Sequence, residues 1–472
     1  MAVNVVKKGM TNIKYVLISQ AVSYALSFLT SFVLPGVLGV VPNGYYQVYM
    51  FYLSYIGVLH FGFNDGVYLK YGSFDYGDLP QPLFRSFMRF YVMMTGGEIL
   101  ICLFAMMGET DANKRFAFFF VTLDILVVNL SALFNYINQI TDRIKMYSFA
   151  VVAEKVQIVA AVLVLILLHR VDFRLVIVCD FGAKLVVLGV NIWNDQAIVF
   201  GPHVPMRQAL PECVDNISTG MKLMIANFMG MLVMGLGRFM LERFGSVRDF
   251  SLYSFAVSSI NIAMMFISSV SLILYPMLCR LDRRALPGYF RMISRMLSTI
   301  IFCMMLLYFP LVPAIRLLLR KYVPVLDYLY LLFPIVIMQS KITLLVNTYY
   351  KSLRREGAMM LANLSSVGMF LLLAGPAFYF YPSVKVIVWA TLITFTWRCY
   401  SSEIYLKRQM GIREYRGMIE ELAMAVVFVL AAGLVGGLAG FLIYAGCTAV
   451  YLALNRRELL DDLRRLRVSL RG

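Results

Sequence analysis

The sequence is poor in charged residues and in the side chains that build metal centres and disulfide frameworks. Only 15% of its 472 residues are charged, and it contains three histidines and seven scattered cysteines without a CxxC pair. Soluble domains carry about 25% charged residues. No phosphate-binding loop, catalytic triad or metal-ligand spacing is present. These absences exclude a soluble enzyme and a secreted disulfide-rich protein, and we expect neither a metal nor a bound cofactor.

Long apolar runs dominate the chain, of which 61% is hydrophobic. Such runs recur without polar linkers, and each is long enough to cross a bilayer. We predict an all-α polytopic membrane protein of about 14 transmembrane helices, with a 12-helix core of two six-helix lobes and two C-terminal helices. The predicted spans are residues 14–34, 45–65, 84–107, 116–138, 146–168, 174–194, 217–237, 251–275, 292–318, 325–347, 358–380, 384–405, 417–434 and 437–454. The last two are short, so twelve or thirteen crossings stay open.

The spans divide the chain into five parts. These are an N-terminal six-helix lobe (1–194), a cytoplasmic loop between lobes (195–216), a C-terminal six-helix lobe (217–405), two additional helices (406–454) and a basic cytoplasmic tail (455–472). The leucines of the tail recur on one side of a helix, which predicts an amphipathic segment lying on the anionic inner leaflet. Gly436 and Gly440 between the last two spans either allow close helix packing or form the turn.

The charge balance indicates how the chain is oriented. There are 43 Lys and Arg against 26 Asp and Glu, a net charge of +17. A nucleic-acid partner would also explain a basic chain, but cytoplasmic loops of membrane proteins collect Lys and Arg. With the N-terminus inside, the inner segments hold 27 basic residues and the outer segments 11. The count predicts that both termini lie in the cytoplasm, and it explains the basic charge without a nucleic-acid partner.

An internal repeat supports the division into two halves. The segment from Asn135 to Arg143, at the end of the fourth span, resembles Asn347 to Arg355, at the end of the tenth. Gly44-Tyr45-Tyr46, which opens the second span, similarly resembles Ser251-Leu252-Tyr253, which opens the eighth. Both matches connect span n to span n+6, and repeated six-helix halves are a common transporter plan.

Four polar segments carry a resemblance to a known family. They are Gly62-Phe63-Asn64-Asp65-Gly66-Val67-Tyr68-Leu69-Lys70-Tyr71-Gly72, Asn138-Gln139-Ile140-Thr141-Asp142-Arg143-Ile144-Lys145-Met146-Tyr147-Ser148, Ser251-Leu252-Tyr253-Ser254 with Pro276, and Asn347-Thr348-Tyr349-Tyr350-Lys351. The chain resembles the Wzx-type oligosaccharide-lipid flippases of the multidrug/oligosaccharidyl-lipid/polysaccharide exporter superfamily. It departs from the family at Gly237-Arg238, where members often carry Asp-Arg, so any coupling role of that Asp is absent or moved.

The resemblance implies a transporter rather than an enzyme. Its implied cargo is an undecaprenyl-diphosphate-linked oligosaccharide, moved from the inner to the outer leaflet of a bacterial inner membrane by alternating access. Membrane lipids, polysaccharide polymerases and glycosyltransferases are the implied partners. A drug exporter of the same superfamily is the first alternative, although its usual cavity is acidic or apolar. A membrane-embedded polymerase or ligase is the second, although the longest outer segments here are only about 14 residues, too short for the large catalytic loop of such enzymes.

Basic residues inside the predicted spans are the candidates for binding the diphosphate. Ionisable groups at bilayer depth are costly and usually face a partner or a wet cavity. The candidates are Lys341, Lys184, Lys222, Lys155 and Arg398, together with Asn347. Lys341 ranks first because it lies in the polar stretch from Gln339 to Thr343. Lys222 and Arg398 either face a cavity or snorkel to the inner surface.

Acidic residues inside the spans are the candidates for gating, or for coupling to a proton or sodium gradient. They are Glu98, Asp124, Glu154 and Asp180. Asp180 and Lys184 lie four residues apart on one helix and are able to neutralise each other. Glu154 and Lys155 are adjacent and are expected to point in different directions, so we predict no pair between them. If Lys341 is held in a salt bridge instead, Glu98, Asp124 and Glu154 are its predicted partners.

Overall fold

The computed structural model describes residues 2–72, 74–261, 264 and 284–469, and within them it contains helices and no β-strand. The chain divides into two compact units, Met1–Phe228 and Met229–Gly472. The first unit contains α1 (Ala2–Leu38), α2 (Val40–Leu53), α3 (Phe63–Tyr71), α4 (Gln81–Met106), α5 (Ala112–Ile140), α6 (Ile144–Leu167), α7 (Phe173–Asn194), α8 (Gln196–Val199) and the first part of α9 (Met206–Phe244). The all-α prediction is confirmed.

The second unit contains the rest of α9 and ten further helices. They are α10 (247–261), α11 (Leu286–Met305), α12 (Tyr308–Leu318), α13 (Leu326–Leu332), α14 (Ile335–Lys341), α15 (Asn347–Ser352), α16 (Glu356–Phe380), α17 (Val384–Gln409), α18 (Arg416–Leu430) and α19 (Gly437–Ser469). Two π-helical turns, Ile342–Val346 and Ala431–Val435, continue α14 and α18.

Nine helices of the described residues are long and apolar enough to cross a membrane, or up to eleven if each of two bent helix pairs forms one span. This is the pattern of a multi-pass membrane protein, and it is compatible with the predicted fourteen spans. The predicted second span, 45–65, is wrong as one continuous helix. There, α2 ends at Leu53, and Phe61 and Gly62 take positive φ angles before α3 begins. Residues 262, 263 and 265–283, with most of the predicted eighth span and Pro276, lie outside the described residues.

The internal repeat recurs in the backbone. Asp142 and Arg354, at equivalent positions of the two repeated segments, both adopt the left-handed conformation that non-glycine residues rarely take, with φ of 58° and 54°. In the first repeated segment, the hydrogen bond that closes the turn runs from the Arg143 amide to the Asn138 carbonyl. Its counterpart runs from the Arg355 amide to the Tyr350 carbonyl, and both are 2.8 Å long. The two units therefore share this helix-to-helix turn, as the sequence match predicts.

Inside the first unit, the backbones of α3 and α9 touch each other at glycine residues. A methyl group on Gly62 would lie 2.6 Å from the carbonyl carbon of Gly220, and a methyl group on Gly66 would collide with the backbone of Asn216. Glycine is required here because the two backbones touch. At the end of this backbone contact, the Lys70 ammonium binds the Glu212 carboxylate at 2.9 Å.

The hairpin between α18 and α19 uses its glycines both for the turn and for close packing. Gly436 and Gly437 adopt φ of 65° and 55°, which forms the turn. Gly440 packs against the carbonyl group of Ala431, where a Cβ atom would clash. Both readings of the glycine pattern therefore hold for this hairpin.

The predicted tail helix is present as the last part of α19 and not as a separate segment, while its placement on the inner leaflet stays a prediction. Helix α19 runs unbroken from Gly437 to Ser469 and includes most of the tail. Arg295 of α11 binds Glu458 at 2.7 Å and Asp462 at 3.0 Å. These ion pairs hold the first part of the tail beside α11. The tail continues the last helix because no glycine or proline between 447 and 469 interrupts it.

Candidate functional site

The first unit contains a buried ionic cluster built from α2, α5 and α7. The Tyr49 hydroxyl lies 2.6 Å from a carboxylate oxygen of Asp124 and 2.6 Å from one of Asp180. The Lys184 ammonium pairs with Asp180, lies 3.6 Å from Asp124 and donates to the Tyr49 hydroxyl at 2.7 Å. Each of the three charged side chains is at most 6% exposed. The pair that the four-residue spacing predicted is therefore present, within a larger cluster.

A second ion pair lies close to this cluster on α6. The Lys155 ammonium binds Glu154 at 2.9 Å, so the prediction that these adjacent residues do not pair is wrong. Their long side chains bend toward each other on the helix surface, where both are partly exposed. Lys155 also interacts electrostatically with Asp180, and Tyr46 interacts with both Asp180 and Glu154.

The charges of this assembly do not balance. Asp124, Asp180 and Glu154 are acidic, whereas only Lys184 and Lys155 are basic. The Oδ1 atom of Asp124 is buried and has no hydrogen-bond partner among the described residues. Buried polar atoms are nearly always hydrogen-bonded, and an uncompensated buried charge is costly. One proton bound to Oδ1 of Asp124 would remove the excess negative charge and would occupy the oxygen that has no hydrogen-bond partner among the described residues.

Glu98 on α4 does not join the cluster. Its side chain is buried, and within the described residues neither carboxylate oxygen has a hydrogen-bond partner. Its electrostatic neighbours are Tyr91 and Cys102. No group of three or more acidic, histidine or cysteine side chains able to hold a metal occurs in the part of the chain that the structure describes.

In the second unit, Lys341 at the end of α14 lies between two glutamates. Its ammonium is 2.6 Å from an oxygen of Glu403 on α17 and 2.6 Å from one of Glu421 on α18. Ser298 of α11 donates to Glu421 at 2.6 Å, and Lys407 binds Glu403 at 2.9 Å. We call Lys341, Glu403, Lys407 and Glu421 the lysine–glutamate cluster. It contains two charges of each sign, so it is balanced; it connects α14, α17 and α18, and Ser298 ties it to α11.

The partners predicted for Lys341 were therefore wrong, because the acids come from α17 and α18 rather than from Glu98, Asp124 or Glu154. Glu403 and Glu421 lie inside the predicted spans 384–405 and 417–434, so a complete count of acids in the spans would have found them. The π turn Ile342–Val346 begins directly after Lys341. Such turns are frequent at functional sites.

Arg398 on α17 is the buried cation with a different environment. The residue is 3% exposed, and its Nη1 atom has no hydrogen-bond partner among the described residues. A Cβ atom on Gly230 would lie 4.0 Å from Nη2 of Arg398 and 3.9 Å from Nδ2 of Asn363. Two nitrogen donors thus converge on the space beside Gly230, and no ion pair of Arg398 is formed with a described residue. Neither Gly230 nor Asn363 was a sequence candidate, because neither is charged.

The remaining two candidates are separate from these groups. Lys222 on α9 is exposed, and Asn347 at the start of α15 is half-buried. The structure therefore groups Lys184 with Lys155, gives Lys341 its own acidic partners, and leaves Arg398 as a buried cation without an ion pair among the described residues.

The fold relates the chain to known transporters. No protein-family model and no curated protein sequence matches it. The inward closed conformation of the lipid II flippase MurJ matches with a TM-score of 0.61 and 12% identity, covering 96% of this chain and 100% of that one. The MATE multidrug transporter DinF-BH matches with a TM-score of 0.60 and 14% identity, covering 86% of this chain and 96% of that one. An outward-facing MATE family transporter of the MOP superfamily matches with a TM-score of 0.55 and 10% identity, covering 85% of this chain and 96% of that one. The chain has the fold of the MurJ flippase and the MATE transporters.

Proposed function

We propose that this protein is a flippase, not an enzyme, and that it moves an undecaprenyl-diphosphate-linked oligosaccharide from the inner to the outer leaflet of the cytoplasmic membrane by alternating access. The observation that carries the proposal is Arg398, a buried guanidinium without an acidic partner among the described residues, beside the amide of Asn363. A buried cation without an acidic partner suits an anion, and guanidinium binds phosphate through paired hydrogen bonds. Both termini are proposed to be cytoplasmic, from the distribution of basic residues.

The drug exporter is the second candidate because a MATE transporter shares the fold with a similar TM-score. The two candidates differ in the charge of the cargo. A positively charged drug would be repelled by Arg398, whereas a diphosphate would neutralise it. Polymerases and glycosyltransferases are proposed as partners only because they would supply or consume the glycan.

Reconstitution into liposomes tests the proposal directly. We expect the purified chain to move a polyprenyl-diphosphate-linked oligosaccharide between leaflets, scored by the fraction of glycan accessible to an impermeant glycosidase. A cationic fluorescent dye should not be transported. Dye transport without glycan movement would establish the drug exporter instead, and movement of neither cargo would refute both candidates.

We further propose that transport is coupled to a proton bound at Asp124. The buried ionic cluster of α2, α5 and α7 contains one more acid than base. Lys184 and Tyr49 both approach the Oδ2 atoms of its two aspartates, Asp124 and Asp180. Among the described residues, the buried aspartate oxygen left without a partner in this cluster is Oδ1 of Asp124. One oxygen is too few for a hard cation, which takes several oxygen ligands. A proton needs only one.

Replacing Asp124 with Asn should uncouple transport from the pH gradient. Asn resembles the protonated carboxyl group and cannot release a proton, so the variant is expected to exchange cargo between leaflets but not to respond to an imposed gradient. The measurement is the initial rate of glycan movement with and without a pH step. Glu98→Gln is the comparison variant, because Glu98 is another coupling candidate whose buried carboxylate oxygens have no partner among the described residues; loss of the gradient response in that variant alone would assign the coupling proton to Glu98. A variant that keeps the wild-type gradient response would show that Asp124 does not carry the coupling proton.

A further inference from the structure

A cavity lies in the second unit, apart from Arg398 and the lysine–glutamate cluster. Its volume is about 850 Å³, and it is bordered by α12, α13, the first turn of α17 and the hairpin between α18 and α19. This volume is within the range of about 300–1,000 Å³ that small-molecule sites occupy. The proposed flippase activity makes no use of this cavity.

The walls of the cavity are apolar and already formed. Phe309 of α12 and Phe441 of α19 line it, with ring centroids 5.7 Å apart. Behind them, Phe428 packs on Phe309 at 6.1 Å and stacks on Phe333 at 5.9 Å. This aromatic layer keeps the walls in place, so a ligand would not have to open the cavity.

The hairpin contributes a side of the cavity that is made of glycines and apolar side chains. Gly433 faces the ring of Tyr330, and a methyl group there would lie 2.6 Å from the ring carbon Cε2. Gly436 and Gly437 form the turn, and Leu438 is 74% exposed beside them. A hydrocarbon chain fits such an apolar wall better than a compact polar molecule does.

The mouth of the cavity is basic. Arg316 of α12 and Lys385 of α17 are the basic residues of its lining, and Asp327 is the acidic one. All three side chains are exposed, and within the described part of the chain neither Arg316 nor Lys385 forms an ion pair. An anionic group at the mouth would be bound by two cations, while its apolar portion would enter the aromatic interior.

The position of the mouth agrees with a lipid ligand. It lies where α12 ends, where α13 and α17 begin, and where the hairpin turns. These are ends of apolar helices, which places the mouth at the level of lipid headgroups. The proposed orientation makes this the outer leaflet. Basic pockets between transmembrane helices are known to bind anionic headgroups.

We infer that this cavity binds an anionic glycerophospholipid, with its phosphate between Arg316 and Lys385 and an acyl chain along Phe309, Phe441 and the hairpin glycines. Bound lipid would fill the space between the hairpin and α12 and so stabilise the position of the last two helices. The inference goes beyond the proposed flippase activity, because it concerns a resident lipid and not the cargo.

Lipid binding to the purified, detergent-solubilised full chain tests this inference without any transport measurement. Native mass spectrometry would compare phosphatidylglycerol with phosphatidylcholine of identical acyl chains. We expect phosphatidylglycerol to bind more tightly, and the variant Arg316→Gln/Lys385→Gln to bind it roughly tenfold more weakly or worse, since both cations that would contact the phosphate are removed. The matched control is Arg320→Gln/Lys321→Gln, which removes two exposed cations that do not line the cavity.

A second variant tests the apolar part of the site. Leu438→Trp places a large ring at the cavity from an exposed position, so the protein should fold normally and still bind less phosphatidylglycerol. Equal loss of binding in the Arg320/Lys321 control, or equal affinity of the wild type for both lipids, would overturn the inference. Displacement of phosphatidylglycerol by a lower concentration of polyprenyl diphosphate would overturn it too, because the cavity would then belong to the cargo.

Discussion

Replacing Arg398 with Gln is expected to abolish glycan movement while leaving the thermal stability of the protein unchanged or slightly raised. Within the described residues the Arg398 side chain is buried without an acidic partner, so its removal leaves no carboxylate uncompensated. An arginine at bilayer depth costs about 2.5–3.5 kcal/mol on insertion scales. A costly buried cation that forms no ion pair with a described residue is available to bind an anionic cargo.

The measurement pairs the flipping rate in proteoliposomes with the melting temperature of the same preparation. Arg408→Gln is the matched control, because Arg408 lies on the same helix, α17, and is exposed. We expect this control to retain both activity and stability. Arg398→Lys should keep a small fraction of the activity, since the charge remains but paired hydrogen bonding is lost. A fully active Arg398→Gln variant would remove the main support for an anionic cargo.

Replacing Lys341 with Met is expected to have the opposite effect on stability, with a large loss of folded protein. The Lys341 ammonium lies between Glu403 and Glu421, and its removal leaves two acids with only Lys407 as a counter-charge. Removing one partner of a buried ion pair typically costs about 3–5 kcal/mol. Glu421→Gln should also destabilise, because Lys341 then faces Glu403 alone.

The double variant Lys341→Met/Glu421→Gln should recover most of the lost stability, because one charge of each sign is removed and Glu403 keeps Lys407. Melting temperatures of the four proteins in this cycle give the interaction between the two residues. The control cycle uses Arg416 and Glu420, an exposed pair on α18 separated by 2.6 Å. Such pairs are worth about 0.3–0.5 kcal/mol. Equal effects in the two cycles would refute a structural role.

The double variant also decides the role of Lys341 in transport. The sequence predicts that Lys341 contacts the diphosphate, and its two acidic partners favour a structural role instead. A stable double variant that still moves glycan would establish the structural role. A stable variant without activity would return Lys341 to the substrate site beside Arg398.

Much of the helical architecture was predictable because hydropathy is a local property. An apolar run long enough to cross a bilayer has to form its hydrogen bonds within itself, so it becomes a helix whatever its neighbours are. The second span was predicted incorrectly because its interruption depends on backbone angles at Phe61 and Gly62, which hydropathy does not report. The pair of Asp180 and Lys184 was predictable for a local reason too, since residues four apart share a helix face.

The sites depended on contacts between residues far apart in the chain. Lys341 and Glu421 are separated by 80 positions, and no helical spacing relates them. Asn363 and Gly230 became candidates only because α16 and α9 bring them beside Arg398. An uncharged amide and a glycine do not stand out within an apolar span as a charged residue does. An analysis of each span by itself therefore could not select them.

The sequence by itself determined that this is an all-helical, multi-pass membrane protein, and it located the internal repeat that the backbone at Asp142 and Arg354 reproduces. It also selected the ionisable residues at bilayer depth, because each is costly wherever its helix packs. Only the tertiary structure decided which of them neutralise one another. Charges interact through space, so the pairing of Lys341, the excess acid near Asp124 and the isolation of Arg398 follow from helix packing, and these contacts separate the structural cations from the candidates for binding cargo.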